Sequence, residues 1–336
     1  MSAIELGLQL GDRLSFAEML WAAEFADEEG LESLWVAEGR LSRDGIVPAA
    51  ILAHRTSRVR IGTGVLSNRT RNVGLMAVTF KTLDEVAPGR AFLGLGAWWE
   101  PLASKLGSPL RKPLTYMREY VDGLRQFFAN EEVHVDGEFI KVDGARFDSM
   151  YRENVPVDIP IYIGAVGPKM LELTGEVADG ANLDFLLPPS YLEGALAHIE
   201  AGVARRTDGQ RAIDITQLVA CSVDDVDPRG AIDAAKAFLT LYLAQQPHIG
   251  SHCGAEPELV ARIQEVCGWP ATPAQIEDAM ALVSDELVHR VTACGTTAQA
   301  MEKLEAYRAA GVRVPIISPL GNKEQTIVSL VKASRR

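Results

Sequence analysis

The residues best suited to chemistry in this 336-residue chain stand at the ends of short apolar runs. In chain order they are Gln9, Glu38, Asn68, the run Trp98, Trp99 and Glu100, the turn from Gly164 and Ala165 through Gly167 to Lys169, then Asn182 with Asp184, Gln217 and Ser318. The set is rich in amides and aromatic rings. It holds no Cys-His or Ser-His-Asp combination with separable roles and no His/Asp/Glu cluster at metal-ligand spacing, which argues against nucleophilic and metal-assisted hydrolysis. Amides and indoles suit a cleft for a flat heterocycle instead. In "LGLQLGDRLSF" a period of two sets Gln9 apart from Leu8 and Leu10 and turns it inward at the mouth of a strand. His54, on the apolar "PAAILAHR", reads as a structural hydrogen-bonding residue and His134 as solvent-facing, while His248, His252 and His289 have no partner visible in sequence.

Eight strand-like runs must position these groups: 4–10, 33–38, 59–66, 90–96, 159–165, 180–185, 214–223 and 312–319. Helical patterns separate them. Between the first two runs, Phe16, Met19, Leu20 and Ala23 repeat at helical spacing with Asp27, Glu28 and Glu29 on the outer side and Gly30 as a stop. Eight such units without a Pro/Gly/Ser-rich linker favour a single (β/α)8 TIM barrel over 1–336, in which the site lies at the carboxyl ends of the strands. A doubly wound sheet is disfavoured because the first strand lacks a G-x-G-x-x-G turn. Segments 97–158 and 224–311 exceed a minimal barrel and read as insertions over the active-site face, the second as a lid or subunit contact.

Two glycine-rich stretches carry weaker signals. In "IGTGVLSN", Gly62 and Gly64 weaken a strand and make a bulge near Gly64 and Val65 plausible, although from the strand alone relief of packing at the barrel wall is the better account of such glycines. In "IGAVGPKMLELTGEVADG" a strand runs through Gly164, Gly167 and Pro168 into a helix, whose first amides together with Lys169 could hold an anion.

Composition narrows the function classes. The chain is 47% hydrophobic with a formal charge of −12, which suits a soluble globular protein and disfavours binding to a polyanion. Four cysteines without C-x-x-C spacing read as buried thiols. No export signal or membrane span is legible, so a cytoplasmic location is expected.

Taken together, "IGTGVLSNRTRNVGLMAVTFKTLDEVAPGRAFLGLG", "IPIYIGAVGPKMLELTGEVADGANL" and "GVRVPIISPLG" resemble the luciferase-like (β/α)8 superfamily, in its methylenetetrahydropterin reductase branch. The likeness is to methylenetetrahydromethanopterin reductases, which use a deazaflavin, and to mycobacterial flavin-independent methylenetetrahydrofolate reductases. It implies a homodimer, a nonprolyl cis peptide at Gly64-Val65, and a hydride passed from NADH to a folate, with a reduced deazaflavin as the alternative donor. It also implies a glutamate at position nine, where this chain has Gln9, and "VAEGR" has Gly39 where the dehydrogenase branch carries a histidine.

Opening the methylene bridge requires a proton on the leaving aryl nitrogen, the work of a buried carboxylic acid. Glutamine keeps the shape of glutamate and lacks that proton. The expectation is therefore a reductase impaired at Gln9, with Glu38 or Glu100 as substitute acids and a noncatalytic pterin-binding or flavin-binding barrel as the remaining reading. Asn68, Gly64, Val65, Trp98, Asn182 and Gln217 are expected around the rings, and Gly164, Ala165, Gly167 and Lys169 near an anionic tail.

Overall fold

The computed structural model describes residues 4–100, 102–151, 153–210, 212–268 and 270–335. Its strands are β1 Gly7–Leu10, β2 Ser33–Val36, β3 Arg60–Thr63, β4 Leu66–Ser67, β5 Ala91–Gly96, β6 Val133–Asp136, β7 Lys141–Ala145, β8 Ile161–Ala165, β9 Gly180–Leu183, β10 Asp214–Val223, β11 Ala293–Gly295 and β12 Val314–Pro319. Two compact units divide the chain. One comprises Met1–Gln9, Leu183–Leu196 and Ile215–Arg336; the other comprises Leu10–Asn182 and Ala197–Asp214.

In the Leu10–Asn182 unit, parallel pairing runs from β2 to β3, from β3 to β5 and from β5 to β8. Helices alternate with these strands, and two of them start at side-chain caps. Ser15 and Glu18 form a reciprocal capping box on the helix Phe16–Glu28, and Asn72 caps Val73–Val86. The inner face of Phe16–Glu28 is Met19, Ala22, Ala23, Ala26 and Asp27. Asp27 therefore departs from the expected outer position. Its carboxylate accepts from the backbone amides of Ser57, Arg58 and Val59 at 3.0, 2.7 and 2.8 Å, which satisfies a charge that burial would otherwise penalise.

The expected strand 59–66 is interrupted by a cis peptide at Gly64-Val65, so β3 and β4 are separate pieces. Glycine at 62 and 94 reflects close approach. A Cβ on Gly62 would lie 2.1 Å from the Phe92 carbonyl oxygen, and one on Gly94 would lie 1.9 Å from that of Thr63. The first part of segment 97–158 carries the helices Leu102–Lys105 and Pro113–Phe128, followed by the antiparallel hairpin β6 and β7.

In the other unit, β12 is central. It pairs in parallel with β1 through Gly7 opposite Ile316, and with β10 through Gln217 opposite Pro315. β11, too short to stand out in sequence, pairs with β10 through Cys221 opposite Ala293. Segment 224–311 is largely helical, beginning with Pro228–Gln245, which Asp227 caps. Among the described residues no helix is long and apolar enough to cross a membrane.

Candidate active site

In the Leu10–Asn182 unit, Asn182 and Gly164 lie at the Gly64-Val65 bulge. The Nδ2 of Asn182 lies 3.5 Å from where a Cβ on Gly64 would sit, and Val65 Cγ1 lies 3.4 Å from the same point on Gly164. Asn182 and Asn68 are both buried. Asn68 is tied to β5 by its amide, which donates to the Gly96 carbonyl at 3.0 Å, and its Nδ2 donates to Met117 Sδ at 3.5 Å. Its Oδ1 is buried with no hydrogen-bond partner. Trp98 and Trp99 are each partly buried, and Trp98 adopts a left-handed backbone with φ of 74°.

Both substitute acids are engaged in hydrogen bonds. Glu38 spends its two oxygens on Arg71, at 2.9 and 2.8 Å, and accepts the Gly45 amide as well. Three N–H donors from Arg71 and Gly45 thus occupy its oxygens. Glu100 is exposed and accepts from the amides of Leu110 and Ser104, and those bonds pull its carboxyl below the usual range. The exposed site of Glu100 therefore stores no proton.

The anion-holding turn is poorer than its sequence suggests. The helix Pro168–Val177 does start at Gly167, but proline brings no N–H, and the amides of Met170 and Leu171 both donate to the Gly167 carbonyl. Gly164 and Ala165 lie within β8, and Lys169 is exposed. His54 is also exposed rather than a buried structural residue, because it faces away from the Leu52 and Ala53 side of its helix.

In the other unit Gln9 is buried, and Ser318 Oγ donates to its Oε1 at 2.7 Å. Gln217 is fully buried. Its Nε2 donates to the Leu187 carbonyl at 2.8 Å, while its Oε1 has no partner. Asp184 lies just past β9, and the Oη of Tyr242 lies 2.7 Å from each carboxyl oxygen. Tyr242 was not among the predicted residues, because no strand-end rule reaches a helical residue 58 positions away.

This unit also contains a cavity of about 340 Å³ lined by His289, Thr292, Cys294, Gln299, Glu302, Lys303 and Ala306, none of them predicted as site residues. All four cysteines are buried. Among the described residues no group of three or more His, Cys, Asp or Glu side chains is placed to hold a metal ion.

The chain is 31% identical over 317 residues to a 5,10-methylenetetrahydromethanopterin reductase of Methanolobus tindarius, covering 91% of each chain. It is 28% identical to one of Archaeoglobus fulgidus, covering 98% of this chain and 97% of that one. A solved coenzyme F420 dependent tetrahydromethanopterin reductase from Methanopyrus kandleri superposes with a TM-score of 0.83 at 24% identity, covering 98% of this chain and 97% of that chain. That likeness shows the (β/α)8 TIM-barrel fold expected from the eight strand-helix units. With residues 2–314 matching the model of the luciferase-like monooxygenases, the chain belongs to that family.

Proposed function

We propose that this protein is an oxidoreductase that reduces the methylene bridge of a 5,10-methylenetetrahydropterin to a methyl group, with a reduced deazaflavin as hydride donor. The observation that carries the reading is the pair of buried amide oxygens without protein partners, Asn68 Oδ1 and Gln217 Oε1. An orphaned buried acceptor is costly unless a ligand N–H completes it, and pterin and deazaflavin rings both carry such N–H edges. The 31% and 28% identical relatives named as methylenetetrahydromethanopterin reductases support the substrate class. The F420 dependence of the structural neighbour supports the donor.

When bound, the reduced deazaflavin supplies the hydride. Within the Leu10–Asn182 unit Asn68 would orient a ring, with Gly64, Val65 and Asn182 as further contacts and Trp98 beside them, and within the other unit Gln217 would accept a ring N–H. Their contribution is positioning, since a hydride moves only between aligned carbons. Gln9 holds shape at the mouth of β1 without a proton to give. We also read 1–336 as one domain with insertions at 97–158 and 224–311.

A donor-swap assay tests the proposal. Purified protein with a methylenetetrahydropterin is expected to turn over with reduced deazaflavin and to ignore NADH. Turnover with NADH and methylenetetrahydrofolate in its place would move the protein to the flavin-independent folate reductases. Tight pterin binding with neither donor active would make it a binding protein.

A further inference from the structure

The proposed reaction needs an acid, yet Gln9 has no proton, Glu38 is paired to Arg71 and Glu100 is exposed. Asp184 is different. It follows β9 by one residue, on the same parity as buried Asn182, and it retains some accessible surface.

The hydrogen bonds around its carboxyl are informative. Tyr242 Oη lies 2.7 Å from both Oδ1 and Oδ2, and the Phe185 amide donates to Oδ1 at 2.7 Å. One phenolic hydrogen cannot serve two oxygens at full strength. A protonated carboxyl removes the difficulty: Tyr242 donates to Oδ1 while the acid's own O–H, on Oδ2, donates to Tyr242 Oη. The rings of Phe185, Phe238 and Tyr242 pack with centroids 5.2 to 5.6 Å apart, which fixes the phenol that meets the carboxyl.

Burial pushes the Asp184 carboxyl above its ordinary range, against the opposing pulls of Tyr242, the Phe185 amide and His248. Among the described residues, the titratable groups that act on it are Tyr242, His248 and Tyr191. Tyr191 is pushed up to about 12 by burial and by the charge Asp184 would carry, and its ring packs against His252.

We infer that Asp184 is the carboxylic acid that gives its proton to the leaving nitrogen of the methylene bridge in this chain. The inference rests on the reaction proposed above. The Oδ2–H proton passes to the aryl nitrogen, and the bond from that nitrogen to the bridge carbon breaks with its electron pair remaining on nitrogen. An iminium carbon is left, which takes the hydride supplied by the donor and becomes the methyl group. Asp184, now a carboxylate held by Tyr242 and the Phe185 amide, regains a proton from water.

The test is infrared spectroscopy of the protein alone across pH, paired with turnover. Wild-type protein should show at neutral pH the carbonyl stretch of a protonated carboxylic acid that Asp184→Asn lacks, and that variant should bind the pterin normally while losing about 10²-fold or more in turnover. Tyr242→Phe, which keeps the ring packing and serves should Asp184→Asn fail to fold, is expected to move both the loss of the band and the alkaline limb of kcat/KM to higher pH. A purely structural Tyr242 would move neither. An Asp184 already ionised at neutral pH, or an Asp184→Asn protein turning over like wild type, would overturn the inference. Wild-type protein that shows the band but reduces no methylenetetrahydropterin would instead overturn the functional reading on which it rests.

Discussion

At position nine an amide stands where the family resemblance places an acid, with Ser318 donating to its Oε1. Gln9→Glu would place a carboxyl at the same buried spot, with the same hydroxyl donor ready for the charged form. Turnover is expected to rise, but by less than the roughly 10²-fold a positioned general acid gives where none exists, because Asp184 already supplies the proton. In that background Asp184→Asn should become nearly silent, because two acids serving one proton transfer are not additive. Steady-state rates of the four proteins check this, and a flat response to Gln9→Glu would remove position nine from the proton path. The strand-end residues were legible because parity and barrel geometry together decide which side chains face inward, and that logic selected Gln9, Asn68, Asn182 and Gln217, all of them buried. It could not expose the engagement of Glu38 with Arg71 or that of Asp184 with Tyr242, since both depend on side chains brought in from distant elements.

Among the elements, the join between the helix Phe16–Glu28 and β3 depends on one carboxylate. Burial alone would raise the pKa of Asp27, but hydrogen bonds from the backbone of Val59, Arg58 and Ser57 and from the Ser57 hydroxyl outweigh it and hold the group below its usual range. A lowered folded-state pKa contributes stability that is fully present above the unfolded value and is lost as pH falls through the folded one. Asp27→Asn exchanges one acceptor oxygen for an NH2 facing the Ser57 amide and hydroxyl, so it should cost about 1–3 kcal/mol at neutral pH. The deficit should shrink as wild type is acidified, which urea midpoints across acid pH will measure. Sequence periodicity placed Asp27 on the outer side of this helix because pattern alone treats a charge as solvated. The caps Ser15 and Asn72 went unread because periodicity carries no capping signal, and so did β11, whose three residues carry no period at all.

At the scale of the whole molecule, the homodimer implied by the resemblance would need a self-complementary face, and we propose one on the Leu10–Asn182 unit. The neighbouring helices Ile46–Arg55 and Val73–Val86 show apolar side chains to solvent at helical spacing, with Val47 61% exposed and Ile51 39% on the first, Leu75 57% and Val78 42% on the second. Their buried faces are already occupied by residues such as Leu52 and Met76, so these outer stripes add nothing to the fold of one chain. Apolar stripes left in water on adjacent helices are worth more in a two-fold contact, where each copy covers the other. Sedimentation analysis at micromolar concentration is expected to give a dimer. Leu75→Glu with Val78→Glu should shift the protein to monomer, through a loss of about 2 kcal/mol or more at the centre of the contact. Thermal unfolding of the monomer's secondary structure should stay cooperative, because both substitutions leave the buried face of the helix intact. A wild-type monomer, or a dimer indifferent to both glutamates, would move the association surface off these helices.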